Sequence, residues 1–385
     1  MEKIKVLHLI KTLSLGGAEV NLYNLICEAE KENIETHVGY SYGGEIEERF
    51  KKSGVKLFKY AKANHKIKSL ATFYIVWRLV FYILKNRIQI VHTHNFSAHI
   101  WGSLAAKLAG ARIVEHVHDF RYLEKAEFEK RHGVNQQYKF AHFLRNVSDR
   151  VVVLTRQNSD YLVKQNYYPA NRIRKIWNGI PMEDTIVPEN PSETNIWEQF
   201  GISKDAQVIL TSARIAAEKN IDLILKIAPH VLKEVPSAVF VVTGDGPLLK
   251  SYQEKVVSMG LEKSVRFIGF CPFVYDLLAK THIYLLPSFL ELHSISILEA
   301  MSMKVPVVVS DEVGCNNEFI QTWDNGILLD PFSSEGWAEA LITLLKNTTL
   351  SHRIGLNGFL TCRSHFDIRD TAKQFKDVYA ELASE

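Results

Sequence analysis

Short runs of Val and Ile recur along this chain, and few of them alternate with polar residues. A strand that is apolar at nearly every position is buried on both faces, as in a parallel sheet covered by helices. In the first half such runs fall at 5–10, 36–40, 55–58, 88–92, 112–118, 150–155 and 173–177. Helical patterns, such as 18–31 and 97–108, lie between them. This is βαβ order, and it predicts a doubly wound sheet. A polar stretch with three prolines, 180–194, interrupts the pattern and reads as a linker. The alternation then restarts, with strand candidates at 208–211, 238–243, 265–268, 283–286, 305–309 and 326–329. A chain of 385 residues exceeds what one ordinary core holds. The expected fold is therefore α/β, with two doubly wound Rossmann-like domains facing a cleft. Ligands of such sheets bind at the carboxyl ends of the strands.

The second half carries the segment Pro287-Ser-Phe-Leu-Glu291-Leu-His-Ser-Ile-Ser-Ile-Leu-Glu299, a Glu-x7-Glu spacing at the end of an apolar strand. Glu291 is expected on the strand-to-helix loop and Glu299 about two turns into the helix. A carboxylate on such a loop accepts hydrogen bonds from sugar hydroxyls. The N-terminus of the next helix, at Ser294 and Ile295, holds an anion with its free N–H groups. Sugar and phosphate together point to a nucleotide sugar.

Other segments fit that reading less specifically. Leu15-Gly16-Gly17-Ala18-Glu19 follows the first strand, where glycines permit positive φ and close approach of a ligand. It is not G-x-G-x-x-G, which weighs against a nicotinamide cofactor. Arg214 and Lys219 frame a loop after the first strand of the second half and could neutralise a diphosphate; a solvated surface pair is the plain alternative. Gly244-Asp245-Gly246-Pro247 ends the next strand and by itself is only a turn. His118 closes the run 112–118 and is expected to face the cleft, with His116 on the same strand face as a packed wall residue. His92 and His94 form H-x-H, but no carboxylate or third ligand lies near them in sequence. No D-x-D occurs, so no metal site is expected.

A net charge of +3 is too small to argue for nucleic acid. Four cysteines, at 27, 271, 315 and 362, form no C-x-x-C, and a reduced cytoplasmic chain is expected. No signal peptide is read at the start, and the longest apolar stretch, 70–84, is interrupted by Arg78 and too short to span a membrane. Between Lys51 and Ile90 there are ten Lys or Arg and no Asp or Glu. The aromatic stretch 70–87 inside this block reads first as a buried crossover helix. The basic 51–87 region around it offers a surface for peripheral contact with anionic membrane.

Taken in order, these segments resemble the GT-B retaining glycosyltransferases of family 4, over nearly the whole chain. The resemblance rests on Gly-Gly-Ala-Glu at 16–19, His118-Asp119, Trp177-Asn178-Gly179-Ile180, the Arg214 and Lys219 pair, Gly244 to Pro247, Val265-Arg-Phe-Ile-Gly269 and Glu291 with Glu299. Val305-Pro306, Glu318 and Asn325-Gly326 also follow the family pattern. It implies an acceptor-side domain over 1–182, completed by the C-terminal helix 366–385, and a nucleotide-sugar domain over 183–365. It implies catalytic roles for His118, Glu291, Arg214 and Lys219. Donor binding would fall to Gly16, Gly17, Gly244, Asp245, Gly246, Phe270, Ser294, Ile295 and Glu299. It implies a metal-independent retaining transfer of a hexose or N-acetylhexosamine, with no cofactor beyond the donor, a UDP-sugar before others. The acceptor would be a glycan or lipid-linked, in bacterial surface polysaccharide synthesis. One departure stands out: the family usually has Gly directly after the first glutamate, where this chain has Leu292. The alternatives are a non-catalytic partner subunit that only binds nucleotide sugar, for which Leu292 is the sole support, or an epimerase or phosphorylase on the same fold.

Overall fold

The computed structural model describes residues 3–14, 16–61, 68–118, 146–182 and 196–385. Asp119, Lys62, Lys66 and most of the linker fall outside the described residues. The chain divides into two compact units, Met1–Gly179 with Ile368–Glu385, and Ile180–Asp367.

Unit 1 is built on seven strands: β1 (Ile4–Thr12), β2 (Ile34–Tyr42), β3 (Lys56–Lys59), β4 (Ile90–Thr93), β5 (Arg112–His116), β6 (Arg150–Val153) and β7 (Ile173–Lys175). They pair in the order β3-β2-β1-β4-β5-β6-β7, all parallel. β5 ends at His116, two residues before its expected end, because its ladder with β6 runs out at His116↔Val152. His118 therefore stands just past the strand. The order reverses between β1 and β4, which is the switch point where such sheets bind ligands.

The C-terminal helix, Ile368–Ser384, belongs to unit 1. Its Phe375, Val378, Tyr379 and Leu382 are buried against Val6, Ile90, Val114 and Val152. Arg150 clamps its end through Glu381 at 2.6 Å and Glu385 at 2.7 Å. Gly179 lets the chain pass this helix, since a Cβ there would lie 2.7 Å from the Ile368 Cα.

The helix Lys68–Asn86 is not the buried crossover that its composition suggests. Val76, Leu79, Val80 and Ile83 are buried, while Phe73, Trp77, Phe81 and Leu84 stand exposed. The helix is apolar on both faces, and the sheet covers only one. No helix among the described residues is long and apolar enough to cross a membrane.

Unit 2 repeats the plan with β8 (Gln207–Ser212), β9 (Ala238–Thr243), β10 (Val265–Gly269), β11 (Ile283–Leu286), β12 (Val307–Ser310) and β13 (Ile327–Leu329). The order is β10-β9-β8-β11-β12-β13, again parallel, with the switch between β8 and β11. Helices Ile221–Glu234 and Trp337–Lys346 bury Ile224, Leu225, Trp337 and Leu341 into one core with Phe240 and Leu285.

Phe375 is 1% exposed in the core of unit 1. Phe375→Ala is expected to cost about 3–5 kcal/mol. Urea unfolding measures it; a loss below about 1 kcal/mol would show that the last helix contributes little to unit 1.

Candidate functional site

In unit 2 the expected residues gather at the switch point. Arg214 and Lys219 stand on the loop after β8, and Glu291 on the loop after β11. Lys219 Nζ donates to Glu291 Oε1 at 2.6 Å, and Ser288 Oγ donates to the same oxygen at 2.9 Å. The Phe289 N–H donates to Glu218 O at 2.8 Å, so backbone and side chains both tie the two loops. Asn220, left-handed at φ 53°, donates its side-chain amide to Pro287 O and Pro331 O, each at 3.0 Å. The Lys219–Glu291 pair is largely buried, whereas Arg214 is exposed and no ion pair engages it among the described residues. One fixed cation, one fixed carboxylate and one exposed guanidinium thus share this edge of the sheet.

Glu299 is buried on the helix Ile295–Ser302, as its fifth residue, so it sits just over one turn in, not two. The shorter depth follows from where the helix begins: residues 287–294 are loop. Ser294 is the residue before the helix, and its hydroxyl bonds Ser296 Oγ at 3.1 Å without capping a backbone N–H. The first-turn N–H groups at Ile295 therefore keep their capacity for an anion. Both glutamates also act on one buried phenol. Tyr284 is held above the usual tyrosine range by burial first, and Glu299 and Glu291 add to it.

The glycines of 244–247 act through packing. A Cβ on Gly244 would run into the Ala213 carbonyl, and one on Gly246 into the Ile215 carbonyl. With no Cβ in the way, Ile215 N–H donates to Asp245 O at 2.9 Å and Ala213 N–H to Thr243 O at 3.1 Å. Gly244 and Gly246 thus set the Arg214 loop, while Asp245 is exposed. Phe270, directly after Gly269 (φ 71°), is 45% exposed.

Leu292 does not strain the segment. Its side chain is buried and its φ lies outside the left-handed region. The close approach is made from the other side by Gly314, where a Cβ would collide with the Leu292 carbonyl. Gly314 was not apparent from the sequence, because the contact joins segments more than twenty residues apart.

In unit 1 the loop after β1 departs from expectation. Gly16 has φ −128° and caps the helix Gly17–Ala29 in an extended conformation, and Gly17 also lies outside the left-handed region. The absent Cβ instead makes room for Glu19, whose carboxylate turns back over Gly16 and accepts from Thr12 Oγ1 at 2.9 Å. Burial raises the Glu19 carboxyl above its usual range.

The sheet assembles what the sequence held apart. His8 on β1, His92 on β4, His94 just beyond β4, His116 on β5 and His118 just beyond it form one stack across the switch strands. Ring centroids lie 4.9 Å apart for His8 and His92, 4.2 Å for His92 and His94, and 3.8 Å for His116 and His118. His8 Nδ1 pairs with His94 Nε2 at 3.0 Å, His94 Nδ1 with His118 Nε2 at 3.4 Å, and His92 Nδ1 with Tyr379 Oη at 2.6 Å. The H-x-H pair therefore does have further imidazoles beside it: His8, His92 and His94 form one group of three, and His94, His116 and His118 another, each with nitrogens within 4.8 Å. Parallel pairing, His8↔His92 in register, places them there. Neither group includes a carboxylate; three imidazoles are nevertheless a set that can hold zinc, and they would do so as neutral rings. Burial lowers His8 to about 3, and burial first and neighbouring imidazoles second hold His92, His94 and His116 well below the ordinary range.

Two outcomes follow from these contacts. Gly244→Ala is expected to destabilise unit 2 by about 1–3 kcal/mol or more through strain and collision; an unchanged melting temperature would refute that packing role. The unfolded chain takes up its histidine protons near pH 6.5, and the fold resists them until far lower pH. Stability is then complete above about pH 6.5 and falls on acidification, by up to about 1.4 kcal/mol per pH unit for each of the four rings. Urea midpoints at about pH 7.5 and pH 5.5, a range above most carboxylate titration, test this; equal midpoints would contradict it.

Comparison with known proteins bears on the family and the fold. Residues 192–360 match the family described as Glycosyl transferases group 1, and residues 15–184 match Glycosyltransferase Family 4. The chain is similar to an Escherichia coli UDP-Gal:alpha-D-GlcNAc-diphosphoundecaprenol alpha-1,3-galactosyltransferase, 26% identical over 307 residues, which cover 77% of this chain and 76% of the relative. It is also similar to the alpha-D-kanosaminyltransferase of Streptomyces kanamyceticus, 25% identical over 78% of this chain and 81% of that one. Among solved structures, Anabaena HepE in complex with UDP and glucose superposes with a TM-score of 0.83 at 19% identity, covering 98% of this chain and 100% of that one. The chain belongs to the group 1, family 4 glycosyltransferases of the GT-B fold.

Proposed function

We propose that this glycosyltransferase moves a hexose or N-acetylhexosamine, from a UDP-sugar before other donors, to a glycan or lipid-linked acceptor, with retention of configuration. The observation that carries the reading is the Lys219–Glu291 pair at 2.6 Å on the switch of unit 2, with exposed Arg214 on the same loop as Lys219. A phosphorylated sugar asks for that combination: cations for the diphosphate, a carboxylate for the hydroxyls. The Escherichia coli relative is named for a UDP-sugar donor and a diphosphoundecaprenol-linked acceptor, and this supports both ends of the reaction. Bacterial surface polysaccharide synthesis is the setting this suggests, in the cytoplasm at the inner face of the membrane.

The roles follow from charge. As the nucleoside diphosphate departs it gains negative charge, which Arg214, Lys219 and the helix N-terminus at Ser294 and Ile295 stabilise. These groups do the work a metal would do, so no metal is required. Glu291 holds hydroxyls of the transferred sugar and Glu299 those of the ribose. The turn Gly244, Asp245 and Gly246 and the exposed Phe270 lie on the nucleotide side. In unit 1, His118 and the Gly16-Gly17 loop serve the sugar and acceptor. Among the described residues no side chain stands out as a covalent nucleophile, so the proposed route to retention is front-face departure and attack.

Arg214→Ala is expected to weaken UDP binding about 10- to 100-fold, the worth of one charged hydrogen-bond group, with no fall in melting temperature. Glu299→Ala should weaken it as well, and both variants should lose transfer. Calorimetric titration and a radiolabelled-sugar assay read these outcomes. Unchanged binding in both variants would refute the donor site, and an inverted anomeric product by NMR would refute retention.

A further inference from the structure

The open face of the helix Lys68–Asn86 is not used by the transfer chemistry. Phe73, Trp77, Phe81 and Leu84 are 65%, 51%, 67% and 59% exposed. Steps of four, four and three residues set them in one stripe, about 16 Å long. Scattered apolar residues are ordinary on a surface, but a continuous stripe rich in aromatic rings marks an interaction site. The same rings, with Phe58, Arg78 and Tyr82, line a groove of ≈ 690 Å³. The Arg78 guanidinium lies over the Phe58 and Tyr74 rings, 5.3 Å and 5.4 Å from their centres.

Charge identifies the occupant. Lys51 is engaged by Glu47 and Glu48, and Lys56 by Glu35. Lys85 and Arg87 are exposed and in no ion pair among the described residues; Lys85 lines the groove, and Arg87 lines the neighbouring hollow with Leu84. No Asp or Glu occurs between Lys51 and Ile90. A second copy of this chain seated on the stripe would bring like charges together, which is unfavourable. An anionic bilayer accepts both parts: rings sink to the acyl boundary, and cations stay among the phosphates. The helix cannot span a membrane, so it would lie in the plane of the surface.

We propose that the face of unit 1 formed by Phe73, Trp77, Phe81 and Leu84, with Arg78, Lys85 and Arg87 beside it, docks on an anionic lipid bilayer. The inference deepens the reading of a membrane-borne acceptor, yet it rests on this surface alone and holds whatever sugar is transferred.

The test is co-sedimentation of the full chain with phosphatidylcholine vesicles, with and without phosphatidylglycerol. The native chain is expected to bind anionic vesicles about tenfold more strongly than neutral ones, and less so at high salt. The triple change Phe73→Ser, Trp77→Ser and Phe81→Ser should weaken binding about tenfold or more. Its melting temperature and its transfer to a soluble acceptor should stay as in the native chain. The charge change Lys85→Glu and Arg87→Glu should abolish the preference for anionic vesicles even if the serine variant folds poorly. Equal binding of the native and serine chains overturns the proposal, as does equal binding to both vesicle types. A concentration-dependent dimer that the serine changes abolish, without vesicle binding, assigns the stripe to a second copy instead. Vesicle binding with no transfer to any acceptor would refute the transferase reading and leave the docking surface standing.

Discussion

Parallel pairing of β8 with β9 on one side and β11 on the other is the constraint on which the candidate site of unit 2 depends. Each connection leaves the carboxyl end of its strand, and at the switch the loops after β8 and β11 meet. Lys219 and Glu291 join there, and the Phe289 N–H repeats the tie in the backbone. Because the link is charged, largely buried and hydrogen-bonded, neither loop moves without leaving a polar group unpaired. The helix that carries Glu299 starts from the same loop, so its position follows from the same pairing.

Glycines adjust this frame instead of creating it. Gly244 and Gly246 admit the backbone of the Arg214 loop, and Gly314 admits the backbone at Leu292. Each acts where two chain segments approach more closely than any Cβ allows. Leu292 is tolerated for the same reason: the space that a glycine could supply at its own position is supplied across the contact. In unit 1, Gly16 serves a carboxylate of its own helix rather than a left-handed turn.

The histidine stack is a second consequence of parallel register. β1 and β4 set His8 beside His92, and β5 adds His116. With the C-terminal helix closing over them through Tyr379 and Phe375, the rings lose water and with it their charge. His118, at the end of the stack, is held by His94 just past the strand end.

Strands and their parallel arrangement could be read directly from residue order, because buried strands leave local patterns; Arg214, Lys219, Glu291 and Glu299 were marked by charge, spacing and the family resemblance, and the fold brings Lys219 and Glu291 into contact. The aromatic helix 68–86 misled, since an apolar stretch looks the same whether one face or both are covered. Gly314, Ser288 and His8 were silent, because each matters only through a partner far away in the chain. The sequence alone determined which segments are strands, which loops carry charge and which residue types could meet a nucleotide sugar, since those properties are local. Only the tertiary structure decided which loops touch, which histidines lose their charge and which face of the helix 68–86 remains open. Those outcomes depend on register and burial, and both are set by contacts between residues distant in sequence.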